Sequence, residues 1–272
     1  ESMLGNIPDE VFVEPELGHI DAFAGRRIPA WLYRPHGIEP GQKVPVVLSI
    51  HGGPEAQERP GYNYGGFYQY LLSRGVAVLA PHIRGSTGFG IDYQKRIHRD
   101  WGGAELKDIE TCNRYLRSLD WIDGDRIAIW GGSFGGFATL SAATRLPDLW
   151  AAACDFCGPS NLITFVQSVP PHWKPIMKAW LGDAEEDREF LIERSPITYV
   201  DQLKCPLMVV QGAMDPRVVK AESDQMVERL RSMGREVEYL VFEDEGHGFT
   251  KRTNQLKGYG AMADFLIRHL VK

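Results

Sequence analysis

The segment Arg126-Ile-Ala-Ile-Trp130-Gly131-Gly132-Ser133-Phe134-Gly135 decides the fold. Its first five residues form a short apolar run with β-branched members, the composition of a buried strand. Phe137 to Arg145, immediately beyond, reads as a helix. Between the two, G-x-S-x-G marks a turn so sharp that side chains at the glycine positions would collide with the adjoining strand and helix. A serine held there projects its hydroxyl from the edge of a sheet. Glycine-rich loops produce the pattern by chance, and the strand-turn-helix context is what makes it specific.

Working outward, strand and helix patterns alternate from about residue 44. Val44–Ile50, Val76–Ala80, Trp150–Phe156, Pro206–Val210 and Val237–Phe242 read as strands. Phe67–Leu72, Leu106–Leu119, Lys220–Met233 and Leu256–Leu270 read as helices. Such alternation predicts an α/β domain, a mostly parallel central sheet with helices on both faces. With the serine turn it predicts the α/β-hydrolase fold. An N-terminal antiparallel portion is expected from Val11-Phe-Val13 and Ile28–Tyr33, with a turn at Gly25. Residues 158–198 break the alternation with Pro159, Pro170, Pro171, Pro175 and several aromatics. An insertion of that length is expected to form a cap-like, substrate-facing segment on one domain spanning 1–272.

Bulk properties exclude several function classes. A net charge of −6 and a pI near 5.8 leave no basic stripe for a phosphate backbone, so nucleic acid is not expected as a partner. No apolar run is long enough for a membrane span. The opening residues lack the basic-then-apolar pattern of a secretory signal. The four cysteines, 112, 154, 157 and 205, read as buried apolar groups of a reducing compartment, which gives a cytoplasmic expectation. Cys154-x-x-Cys157 lies in an apolar stretch with no second ligand pair, so neither a metal site nor a cofactor is expected.

Serine needs a base to accept its proton. His247, in Glu245-Gly-His-Gly-Phe249, follows the last strand between two glycines; histidines 19, 36, 51, 82, 98, 172 and 269 have no such setting. The fold runs serine, acid, histidine in chain order, and Asp215 lies in the loop after Pro206–Val210. Asp224 and Glu222 fall on a helix face expected to be solvated, and Asp244 is too local to His247. Two backbone donors must meet the developing oxyanion. Phe134, directly after the nucleophile, supplies one; Gly53, in His51-Gly-Gly-Pro54, is the choice for the other.

These motifs resemble the catalytic domain of the prolyl oligopeptidase family of serine peptidases, in its acylaminoacyl-peptidase and dipeptidyl-peptidase-like branch. The resemblance runs from about Val11 to Leu270. It rests on His51-Gly-Gly-Pro54, Arg84-Gly-Ser-Thr-Gly-Phe-Gly90, Gly131-Gly-Ser-Phe-Gly-Gly136, Ser195-Pro196, Asp215-Pro-Arg-Val218 and Asp244-Glu-Gly-His-Gly-Phe249. It implies Ser133 as nucleophile, His247 as base and Asp215 as its orienting acid. It also implies that Arg217 holds a carbonyl of the bound peptide; a surface salt bridge is the plainer reading of that arginine. Other members carry a tyrosine hydroxyl donor where His51 stands, and usually a tyrosine where Phe134 stands. Members also carry an N-terminal β-propeller, and none is expected within this chain. The expected substrate is a short peptide or acyl-aminoacyl compound, with a carboxylesterase acting on small acyl esters as the alternative. Phe134, Val218 and the aromatics of 158–180 are expected to wall the side-chain pocket, although Leu162, Phe165, Trp173 and Trp180 could equally pack the insertion.

Overall fold

The computed structural model describes residues 7–271. Eight strands form one sheet: β1 (Glu16–Ala22), β2 (Arg26–Tyr33), β3 (Val44–Ile50), β4 (Ala77–Pro81), β5 (Ile122–Gly132), β6 (Ala152–Phe156), β7 (Leu207–Gly212) and β8 (Glu238–Phe242). Their order is β1-β2-β4-β3-β5-β6-β7-β8. β1 and β2 pair antiparallel, as do β2 and β4, and every other pair is parallel. The helices that matter here are α1 (Phe67–Ser73), α2 (Ile91–Lys95), α3 (Ala104–Ser118) and α4 (Phe134–Arg145). They are followed by α5 (Leu162–Ser168), α6 (Lys174–Trp180), α7 (Arg188–Arg194), α8 (Lys220–Ser232) and α9 (Arg252–Leu270).

Strand periodicity divides the core in two. Val46, Leu48, Ile50, Ile127 and Ile129 point into one apolar layer, while Val47, Ala128 and Trp130 point into the other. Both faces of the central strands are therefore covered, which is why β3 is buried along its whole length. α3 and α4 pack on one face, α1 and α9 on the other.

Two expectations change. Asp9–Val11 forms a short 3-10 turn rather than a strand, and the first strand is Glu16–Ala22. That strand lies at the sheet edge and buries only Ile20, so it carries no apolar alternation to read. α4 begins at Phe134, directly after the serine, three residues earlier than its composition indicates. The 158–198 segment holds α5, α6 and α7 between β6 and β7. Among the described residues, no helix is long and apolar enough to cross a membrane. The signal-sequence reading falls partly on residues 1–6, outside the described residues.

The Arg84 motif has a structural role. Its guanidinium meets Asp108 of α3 through Nε at 3.0 Å and Nη2 at 2.8 Å, and its backbone N–H donates to the same carboxylate at 3.1 Å. Both side chains are buried, and the guanidinium carbon sits 3.6 Å from the Phe23 ring centroid. The pair thus joins the exit of β4, the start of α3 and the β1–β2 turn. Asp108→Asn leaves a buried arginine charge uncompensated and is expected to cost about 3–5 kcal/mol. Removing the exposed Arg268–Glu238 pair should cost about 1 kcal/mol or less. Urea unfolding of the two variants beside wild type measures both.

Candidate active site

The parallel strands deliver the site residues in order. Register pairs Ile50 with Gly131, Gly132 with Phe156, Phe156 with Val210, and Gly212 with Phe242. The C-terminal ends of β3, β5, β6, β7 and β8 therefore stand side by side, about 4.8 Å apart. Gly53 follows β3, Ser133 follows β5, Cys157 follows β6, Asp215 follows β7 and His247 follows β8.

The turn after β5 is as tight as its glycines imply. Ser133 adopts φ 57° and ψ −119°, a left-handed conformation that costs a non-glycine residue about 1–3 kcal/mol. Its N–H donates to Phe156 O at 2.8 Å, which anchors it. A Cβ on Gly135 would lie 2.0 Å from Ile50 O, so no larger residue lets α4 approach β3 this closely.

Asp215 is buried, with Oδ1 accepting the N–H groups of Arg217 at 2.8 Å and Val218 at 3.0 Å. Its Oδ2 lies 2.6 Å from His247 Nδ1. A carboxylate only accepts, so Nδ1 carries the proton and Nε2 is left as the acceptor. Nε2 faces Ser133 Oγ at 2.9 Å. The loop carrying His247 is pinned from beneath by Glu245, which sequence reasoning overlooked. This buried carboxylate takes the N–H groups of Thr250 (2.9 Å) and Lys251 (3.0 Å), the Thr250 hydroxyl (2.8 Å) and the Asn254 amide (2.8 Å). Burial opposes its charge, but these donors outweigh burial and hold its pKa at about 2.

Ser133 and His247 open into a cavity of about 350 Å³. Gly53, Phe134, Arg217 and Val218 also line it. Phe134 is the first residue of α4, so its N–H has no partner within the helix. Of the four aromatic or apolar residues left open between pocket and packing, Phe165, Trp173 and Trp180 line the cavity, whereas Leu162 is buried in the core. Trp101, Ile176 and Met177 line it without any sequence signal that marks them. Arg217 is exposed, and its guanidinium lies 5.4 Å from the Trp173 ring centroid.

Neighbouring residues hold the rim. His51 turns away from the cavity: Nδ1 donates to Gly52 O at 2.7 Å and Nε2 pairs with Ser86 Oγ at 2.7 Å. It therefore tethers the Gly53 loop, and burial pushes its pKa down, keeping the ring neutral. Glu222 is not solvated as expected but fully buried. It accepts the N–H groups of Ser160 at 3.1 Å and Asn161 at 2.9 Å, clamping the start of the 158–198 segment to α8. Ser195, part of a quoted motif, donates to Leu191 O at 2.6 Å and accepts the Leu162 N–H at 2.8 Å, a staple within that segment. Asp224 bonds Lys220 and Tyr239, and exposed Asp244 bonds Lys251 and Asn254, so neither competes with Asp215. All four cysteines are buried free thiols.

The model of the prolyl oligopeptidase family matches residues 63–272. The chain belongs to the prolyl oligopeptidase family. Its relatives within this family of serine-type peptidases include dipeptidyl aminopeptidase BIII of Pseudoxanthomonas mexicana, 43% identical over 226 residues, 81% of this chain and 32% of that one. Dipeptidyl peptidase family member 6 of Caenorhabditis elegans is 38% identical over 85% of this chain and 32% of its own length. Among solved structures, a puromycin-hydrolyzing peptidase of Mycobacterium tuberculosis superimposes with a TM-score of 0.92 at 29% identity, covering 98% of this chain and 41% of that one. The chain thus spans about a third of the length of the curated family members it matches.

The depressed Glu245 pKa has a stability consequence. Because the folded value lies below the ordinary 4.5, the carboxylate stabilises the fold above that pH and the contribution is lost as pH falls toward 2. Glu245→Gln should lower the Tm at pH 7 and flatten the further loss between pH 4.5 and 2. Thermal melts of both proteins across that range check it.

Proposed function

We propose that this chain hydrolyses peptide or acyl-aminoacyl bonds of short peptides through an acyl-enzyme on Ser133. The observation that carries the reading is the continuous chain Asp215–His247–Ser133, at 2.6 and 2.9 Å, opening into an apolar cavity. Ser133 Oγ attacks the carbonyl as His247 Nε2 takes its proton. Asp215 stays ionised, fixes the tautomer and stabilises the imidazolium. The oxyanion meets the N–H groups of Gly53 and Phe134. His247 then protonates the leaving amine, and a water activated by the same imidazole releases the acyl group. No metal or cofactor takes part in this scheme.

The cavity supports a large apolar side chain beside the scissile bond. Trp101, Phe134, Phe165, Trp180 and Val218 present carbon surface, while Arg217, which also lines the cavity, would hold a substrate carbonyl. The 158–198 segment acts as the cap, since α5 and α6 supply Phe165, Ile176, Met177 and Trp180. Family membership favours peptide over ester substrates, and the names of two relatives, a dipeptidyl aminopeptidase and a dipeptidyl peptidase, favour release of dipeptidyl units. Small activated esters would still react, because an alkoxide leaves more readily than an amine.

Ser133→Ala should lower kcat on an aminoacyl or dipeptidyl p-nitroanilide by at least about 10⁴-fold. Turnover of anilides that survives in the variant would sink the assignment, and turnover of p-nitrophenyl esters alone would favour an esterase.

Gly53→Ala tests the second oxyanion donor. Gly53 sits at φ +126°, and an added Cβ would lie 2.7 Å from Glu55 N, so the loop must shift. We expect kcat to fall about 10²–10³-fold with a smaller change in KM. Steady-state kinetics on the same anilide measure the split.

A further inference from the structure

Cys157 lies beside the site, and the proposed reaction does not use it. It follows β6, the strand between those that deliver Ser133 and Asp215. Its backbone N–H donates to Val210 O at 2.8 Å, and its φ of 48° turns the chain sharply after the strand. One sulfur of Cys157, one carboxylate oxygen of Asp215 and one imidazole nitrogen of His247 all lie within 4.8 Å of one another. The thiol is 3% exposed, and burial keeps it protonated at rest.

A thiol, an imidazole and a carboxylate form the donor set of zinc rather than of magnesium or calcium. With metal–ligand bonds of about 2.0–2.3 Å, tetrahedral geometry separates the donors by about 3.3–3.8 Å. The 2.6 Å gap between His247 Nδ1 and Asp215 Oδ2 must open by about 1 Å, and the sulfur, within 4.8 Å of both partners, must close by no more than about 1.3 Å. Glycines on both sides of His247 leave the ring room to make that shift.

We propose that Cys157, Asp215 and His247 form an inhibitory site for a soft divalent cation of the zinc class. The regulatory part rests on the reading of His247 as the base. The cation takes the place of the Nδ1 proton, which is carried instead on Nε2, so the ring stays neutral. The Cys157 thiol releases its proton to solvent, and a water completes the tetrahedron. No electron is transferred. A protonated Nε2 donates to Ser133 Oγ and can no longer accept its proton, so the nucleophile is disarmed without being blocked.

The test titrates the purified chain with Co²⁺ and Zn²⁺ beside Cys157→Ser and Cys157→Ala variants, each checked for an unchanged circular dichroism spectrum. Wild type should develop a thiolate–cobalt absorption that one equivalent of zinc removes, and both variants should lack it. Zinc should suppress anilide turnover reversibly, with a chelator restoring it. At least about tenfold more zinc should be needed in either variant that folds. Absence of the cobalt band in wild type, or equal zinc sensitivity with and without Cys157, overturns the proposal, as does equal inhibition by Mg²⁺. If the chain turns over no substrate, the function proposed above falls while the cobalt band still decides the site.

Discussion

The close approach of the serine turn to β3 is the constraint on which the rest of the site depends. Gly135 brings the first turn of α4 against Ile50 O, in space where even one methyl group would overlap the carbonyl. That contact fixes the direction of α4, and with it the orphan N–H of Phe134 and the direction of the Ser133 side chain. The strained φ at Ser133 is tolerated because its N–H is anchored on Phe156 O and α4 is buried against β5 and β6. A looser turn would relieve the strain, but the hydroxyl would no longer be aimed at His247.

Parallel register converts that local constraint into a site. Ser133 and Asp215 follow strands two positions apart, a separation of about 9–10 Å at the sheet edge. No direct contact spans that gap, and an imidazole does. His247 can bridge it because its loop returns from β8, the outermost strand, over β7, and Glu245 holds that loop with four donors. The geometry also places whatever follows β6 directly under the bridge. Cys157 occupies that position because of strand order.

Much of this was legible from residue types and spacing. Strands β3, β4, β6 and β7 and the second half of β5 appear as apolar runs because both faces are covered, and the serine, acid and histidine follow β5, β7 and β8 in glycine-bearing loops. β1 was not legible, because an edge strand that buries one side chain leaves no pattern. Glu222 reads as a solvated helix position, and only the three-dimensional return of residues 160–161 to α8 shows why a carboxylate is buried there. Trp101 reaches the cavity from the segment before α3, about thirty residues before the serine turn, and periodicity carries no information about such a meeting. Pairwise placement of loops is a tertiary property, and it decides the pocket wall more than the sequence motifs do.

The charge arrangement makes the site sensitive to what surrounds the His247–Asp215 pair. Asp215 is buried with its charge met by two backbone N–H groups and one imidazole N–H, and no side-chain cation bonds to it among the described residues. Backbone dipoles are fixed, so the carboxylate cannot be neutralised by a neighbour swinging away, and its field is directed at His247. A lysine or arginine in the same place would compete with the imidazole for Oδ2 and weaken the base. The protonated thiol of Cys157 lies against this pair and adds no charge to it. Its inertness at rest therefore follows from the same burial that keeps Asp215 dry.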